Sequence, residues 1–177
     1  MITERDTIKC EAVFSDDKQH RLYWERTWDK EKPKAAIITI HPNHSNNIIC
    51  DTTTYLSVNN TARLGNYGGI IMVNLYSKLT SKLDFKHSSP EELNHEDNNK
   101  YILKAASEAS VVILAYGRGI AGNKQMTERA IEVINLLKDH RNKIKLISDG
   151  QKEGIHPLQP TARSHWELVD FHDKMSD

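Results

Sequence analysis

Cysteine is scarce in this chain: Cys10 and Cys50 are the two among 177 residues. Two thiols so far apart cannot build a disulfide scaffold or a cysteine zinc site, so both read as reduced and packed. Long apolar runs are missing too. No stretch approaches the ~18 uninterrupted apolar residues of a membrane helix, and the opening MITERDTIKC lacks the apolar centre of a signal peptide. The expectation is a cytoplasmic protein with no membrane partner. An excess of charge is also absent, since 24 basic and 24 acidic side chains cancel. That argues against a protein that grips duplex DNA through many phosphate contacts. No repeat or low-complexity tract divides the chain. Its length and 38% hydrophobic content fit one domain that buries roughly 70% of the surface exposed by its unfolded chain.

What the chain does have is histidine, nine in all. The stretch IITIHPNHSNN, residues 37 to 47, ends an apolar run and then crowds imidazoles and amides together. Histidine titrates near neutrality and serves as base, acid, metal ligand or hydrogen-bond donor.

Four apolar runs, AAIITI (35–40), GGIIMVNLY (68–76), SVVILAYG (110–117) and KIKLISDG (143–150), are short and rich in β-branched residues. Consecutive apolar positions of this kind predict strands covered on both faces of a parallel sheet. Helical signals fill the gaps between them. Asp51 can cap a helix that runs through Arg63 to Gly65. Ser89-Pro90-Glu91-Glu92 reads as an N-cap, a proline at the first helical position and an acidic first turn. A longer helix follows near 97–109, and Met126, Ala130, Val133, Ile134 and Leu137 form one apolar stripe between Lys124 and His140.

This alternation predicts a three-layer α/β/α sandwich with a central four-stranded, mainly parallel sheet over about 35–160. EAVFS and HRLYWERTW add an antiparallel hairpin over about 10–28, turning at Asp16 and Asp17. The remainder, 161–177, is expected to be a C-terminal helix (SHWELVDFH) or tail.

Ligands of open parallel sheets bind at the carboxyl ends of the strands, and the polar residues gather at those ends. His41, Asn43 and His44 follow the first run. Asn74 and Tyr76 close the second, Tyr116, Gly117 and Arg118 the third, and His156 comes soon after the fourth. His41, His44, Asp51 and His156 are metal-ligand types, but their spacing shows no convergence, so neither a metal nor another cofactor is expected. Asn74 either pairs with the edge of a nucleobase or ties one loop to its neighbour; an unpaired amide there would cost about 1–3 kcal/mol. Lys78 and Arg118 overhang the same end and suit a phosphate-bearing ligand or simple solvation. Trp24 belongs to the core, whereas Tyr76 and Tyr116 are better placed to stack on a base.

The ordered segments HRLYWERTWD, IHPN, DTTT, YGGIIMVNLYSKLTS, HEDN, VVILAYG and SDGQKEGIHPLQP resemble an uncharacterised bacterial and phage family, domain of unknown function 1643, over about residues 10–160. A more distant resemblance is to the uracil-DNA glycosylase superfamily. It rests on His41-Pro42, Asn74, Tyr116-Gly117 and His156-Pro157, in order and at strand ends. That likeness implies that Asn74 reads a base, that His156 stabilises negative charge on it, and that the first motif positions water. Glycosylases have an acidic or amide residue where this chain has His41, so weak or absent uracil excision is expected. The expected function is binding of a nucleobase, a nucleotide or single-stranded nucleic acid. The alternatives are N-glycosidic bond hydrolysis and a protein-interaction module of a mobile element or phage.

Overall fold

A computed structural model describes residues 1–43 and 47–172 of the chain. β1 (Lys9–Phe14) and β2 (Arg21–Thr27) form the antiparallel hairpin, with Ala12 opposite Trp24. Its turn is built by Asp17, whose Oδ1 accepts from the Ser15 hydroxyl and the Gln19 amide. Such side-chain to backbone bonds favour aspartate in turns.

The four apolar runs become β3 (Lys34–Thr39), β4 (Gly69–Asn74), β5 (Val111–Leu114) and β6 (Ile144–Ser148). β3 pairs in parallel with β4 on one side and β5 on the other, and β5 pairs in parallel with β6. The hairpin extends this set through an antiparallel β2–β4 ladder, and β7 (Glu167–Asp170) closes the other edge against β6. The result is a mixed sheet of seven strands, in the order β1-β2-β4-β3-β5-β6-β7, where the sequence suggested a central sheet of four.

The expected C-terminal helix is also corrected, because WELVD contains strand β7. The free edge of β6 offers ladder hydrogen bonds from Lys145 to Ser148, whereas a helix of so few residues is marginal in water. Residues 173–177 of the expected tail lie outside the described residues.

α1 (Thr52–Arg63) starts where Asp51 Oδ1 accepts from the Thr54 amide at 2.8 Å. α2 (Pro90–Leu93) carries a reciprocal capping box between Ser89 and Glu92. α3 (Asn98–Glu108) and α4 (Lys124–Leu136) follow. The apolar stripe of α4 ends at Leu137, and a 3-10 stretch over Lys138–Lys143 replaces the last turn expected through His140.

Helices cover both faces of the sheet. Val58 of α1 packs with Trp24, Ile70 and Met72, while Ile102 and Ala105 of α3 and Val133 of α4 pack with Ile71, Val73 and Val112. Fully burying a valine, isoleucine or methionine side chain such as those of β4 and β5 contributes about 1.5–3 kcal/mol, so the β3–β6 layer carries most of the core. Cys10 and Cys50 are free thiols. Among the described residues, no helix is long and apolar enough to cross a membrane.

Candidate binding site at the strand ends

β3 delivers Thr39, Ile40, His41 and Pro42 to the carboxyl edge of the sheet, and α1 begins close by. Between them lies a cavity of about 230 Å³, bordered by Arg21, His41, Asn43, Asp51, Thr53 and His156 among others. The structure therefore brings His41, Asn43 and His156 to one place. His44 lies outside the described residues.

The two imidazoles differ in hydrogen bonding. His41 Nδ1 sits 3.3 Å from the Pro42 carbonyl. A carbonyl only accepts, and the Thr80 carbonyl also meets this ring, so His41 faces both carbonyls as a donor. His156 is reversed: its Nδ1 accepts from the Leu158 amide at 3.1 Å, which leaves the proton on Nε2. Burial holds both rings below the ordinary histidine range, only partly offset by the Pro42 and Thr80 carbonyls and Asp51 at His41, and by Asp51 at His156. Both are neutral at pH 7. His156 offers the cavity an Nε2–H donor.

His156 owes its place to Gly117. Gly117 has φ +70°, and a Cβ there would stand 2.8 Å from the Cβ of His156. The Tyr116-Gly117 pair thus lets the His156 loop close onto the end of β5.

Asn74 is placed differently from the expectation of an amide facing a base. Its side chain is buried, donating from Nδ2 to Thr39 Oγ1, while its Oδ1 lies 3.5 Å from Arg21 Nη2. Its backbone carbonyl accepts from Asn98 Nδ2 at 3.0 Å. Asn74 stands behind the cavity wall, bracing Arg21 and Thr39, which border the cavity.

Arg21 was not singled out from the sequence. It is 2% exposed, and its Nε and Nη1 have no hydrogen-bond partner among the described residues. Burial lowers its pKa to about 10, with Asp51 and Cys50 opposing, so it stays charged at neutral pH. The available signal was an arginine inside the otherwise apolar RLYW of a buried strand; its meaning depends on β2 lying beside β4, which alternation alone does not reveal. Asp51, read from the sequence as a helix cap, also borders the cavity.

The remaining candidates divide. Tyr116, Arg118 and His156 border an adjoining cavity of about 330 Å³ that also takes in Ile40 and Leu158. Burial raises the Tyr116 phenol to about 12. Arg118 Nε donates to the Glu153 carbonyl at 3.2 Å. Tyr76 and Lys78 are elsewhere. The Tyr76 hydroxyl donates to the Gln125 carbonyl at 3.0 Å and its ring packs on Phe85, and Lys78 Nζ donates to Gln19 Oε1. Among the described residues, no group of three or more histidine, cysteine or acidic side chains is arranged to hold a metal ion.

The fold and this polar cavity define a mixed-sheet α/β protein with a concave site at the ends of its parallel strands. The model of a family described as protein of unknown function (DUF1643) matches residues 21–158, and the chain belongs to that family. No curated protein and no solved structure matches the chain.

Proposed function

We propose that the protein binds a nucleotide, or the end of a single-stranded nucleic acid, across the two adjoining cavities. The observation that carries this reading is their sharing of Ile40, His156 and Leu158. One side is polar, with Arg21, His41, Asn43 and Asp51; the other presents Ile40, Tyr116 and Leu158. A nucleotide combines a polar, charged end with a flat base that stacks on aromatic and apolar side chains, worth about 1–3 kcal/mol per base. Each cavity is at or below the low end of the roughly 300–1,000 Å³ typical of small-molecule sites, which suits one nucleotide unit.

The four consecutive parallel-paired strands, with His41-Pro42, Asn74, Tyr116-Gly117 and His156-Pro157 at their ends, support a scaffold like that of the uracil-DNA glycosylases. With Asn74 committed to Thr39 and Arg21, base reading passes to the cavity-lining side chains. Uracil excision is weak or absent on this reading. One observation favours hydrolysis of an N-glycosidic bond as the second reading: Asp51 borders the cavity that His41 borders and supplies a carboxylate that position 41 lacks. Water could be activated there, with the Nε2–H of His156 stabilising the departing base.

The test is a thermal-shift panel of nucleobases, nucleosides, nucleotides and short single strands against the wild type and His156→Ala. Stabilisation by one nucleotide type that is lost in the variant supports the proposal. No response anywhere in the panel contradicts it.

A further inference from the structure

The polar cavity has a buried charge at its floor that is only partly hydrogen-bonded: Arg21 Nη2 reaches Asn74 Oδ1, and Asp51 favours the charge electrostatically. Arg21 is buried, borders the cavity, and keeps Nε and Nη1 unpaired among the described residues. Burying a charge is costly unless it is paired and hydrogen-bonded. Two of the three guanidinium nitrogens, Nε and Nη1, keep hydrogen-bonding capacity to spare among the described residues.

A second, independent feature faces the same space. α1 is a helix of 12 residues whose first turn, Thr53 and Thr54, borders the cavity. The first amides of a helix lack intrahelical partners, and the aligned peptide dipoles add a partial positive charge there. Asp51 satisfies the Thr54 amide, which leaves those of Thr52 and Thr53 without a partner inside the helix. Helix N-termini of this kind bind phosphate and carboxylate. The opposing charge is Asp51, whose carboxylate favours the charge on Arg21 and accepts from the Thr54 amide through Oδ1 and from the Thr54 hydroxyl through Oδ2 at 3.3 Å. His156 adds an Nε2–H donor, as its Nδ1 is occupied by the Leu158 amide.

We infer that the start of α1 and Arg21 together form an oxyanion subsite, and that the group it takes is the phosphate of the ligand. This assigns the phosphate end of the nucleotide proposed above, and it rests on that reading only for what is attached to the phosphate. It also moves phosphate recognition away from Lys78 and Arg118 to a buried cation. Asn74 becomes a positioning residue, holding the Arg21 guanidinium from behind through Oδ1.

Isothermal titration at constant ionic strength tests the subsite with four probes: inorganic phosphate, a nucleoside 5′-monophosphate, the matching nucleoside, and a short single strand without a terminal phosphate. The wild type should bind phosphate, bind the monophosphate at least tenfold more tightly than the nucleoside, and show no response to chloride. A single strand that binds as well as the monophosphate would identify a backbone phosphate as the natural source, and one that does not would identify a terminal one. Arg21→Met should weaken phosphate and monophosphate at least tenfold while leaving nucleoside affinity within about twofold. Its urea midpoint should shift little, because removing a costly buried charge is offset by leaving Asn74 Oδ1 without its donor.

Should Arg21→Met fail to fold, Thr52→Pro provides the second variant. Proline is tolerated at the first helical position, and Asp51, at φ −67° and ψ 167°, already has the extended backbone required before proline. It removes one helix-end amide and should weaken phosphate several-fold. Equal affinity for nucleoside and monophosphate with no phosphate binding would overturn the subsite and leave the nucleotide pocket standing. Phosphate binding abolished by Arg21→Met, with nucleotides no tighter than phosphate itself, would support the subsite and remove the nucleotide reading.

Discussion

Gly117 and His156 touch so closely that a Cβ on the first would stand 2.8 Å from the Cβ of the second. The glycine after β5 therefore sets the position of His156, whose imidazole borders both cavities.

Gly117→Ala should disturb this contact in two ways. The backbone at φ 70° and ψ −176° lies in a region essentially reserved for glycine, where strain is of order 1–3 kcal/mol, and the new methyl displaces the His156 loop. The expected outcome is a urea midpoint lowered by an amount in that range together with loss of nucleotide stabilisation in a thermal-shift assay. Retention of both would show that the loop yields without consequence.

Asn74→Ala should be destabilising by about 1–3 kcal/mol, since it leaves the buried Thr39 hydroxyl without its donor and Arg21 without its brace. Ligand affinity should fall for every base alike. A selective loss for one base would show instead that the amide contacts the ligand.

Stability should fall as the pH drops below the ordinary histidine value of 6.5. Burial lowers the folded pKa of His41 and His156 below that value, so the unfolded chain binds protons first and unfolding is favoured from about pH 6.5 down to the folded values. Above that window both states are neutral and the effect vanishes. Urea midpoints at about pH 5 and pH 7.5 should differ in the wild type, and less so in His41→Asn/His156→Asn. His20, also lowered by burial, maintains a residual slope. An identical pH dependence in the double variant would indicate that the two rings are solvated.

Uracil excision from single- and double-stranded oligonucleotides should be weak or absent in a gel assay. Asp51→Asn retains a good N-cap residue while removing the carboxylate. Robust cleavage by the wild type that disappears in this variant would establish the hydrolytic reading in place of simple binding.

The strands and helices were legible because their signals are local. β-branched runs such as AAIITI report burial on both faces, and Asp51, Ser89 and the stripe from Met126 to Leu137 mark helix starts and faces. β7 was not legible, since WELVD becomes a strand only because β6 has an open edge beside it. The site shows the same division. His41, Asn43 and His156 could be placed at strand ends from the chain alone, but Arg21 reaches the cavity only through the antiparallel pairing of β2 with β4. Asn74 carried the right signal, a buried amide at a strand end, with the wrong partner: its neighbours Thr39 and Arg21 lie 35 and 53 residues away, and no spacing rule connects them.

A crystal structure of the protein with a nucleoside 5′-monophosphate tests the proposed pocket most directly. The phosphate should lie at the start of α1 beside Arg21, His156 should be within hydrogen-bond reach of the ligand, and the base should rest against Ile40 and Tyr116. A ligand bound elsewhere, or a cavity still empty at a concentration that saturates the protein in solution, would contradict it.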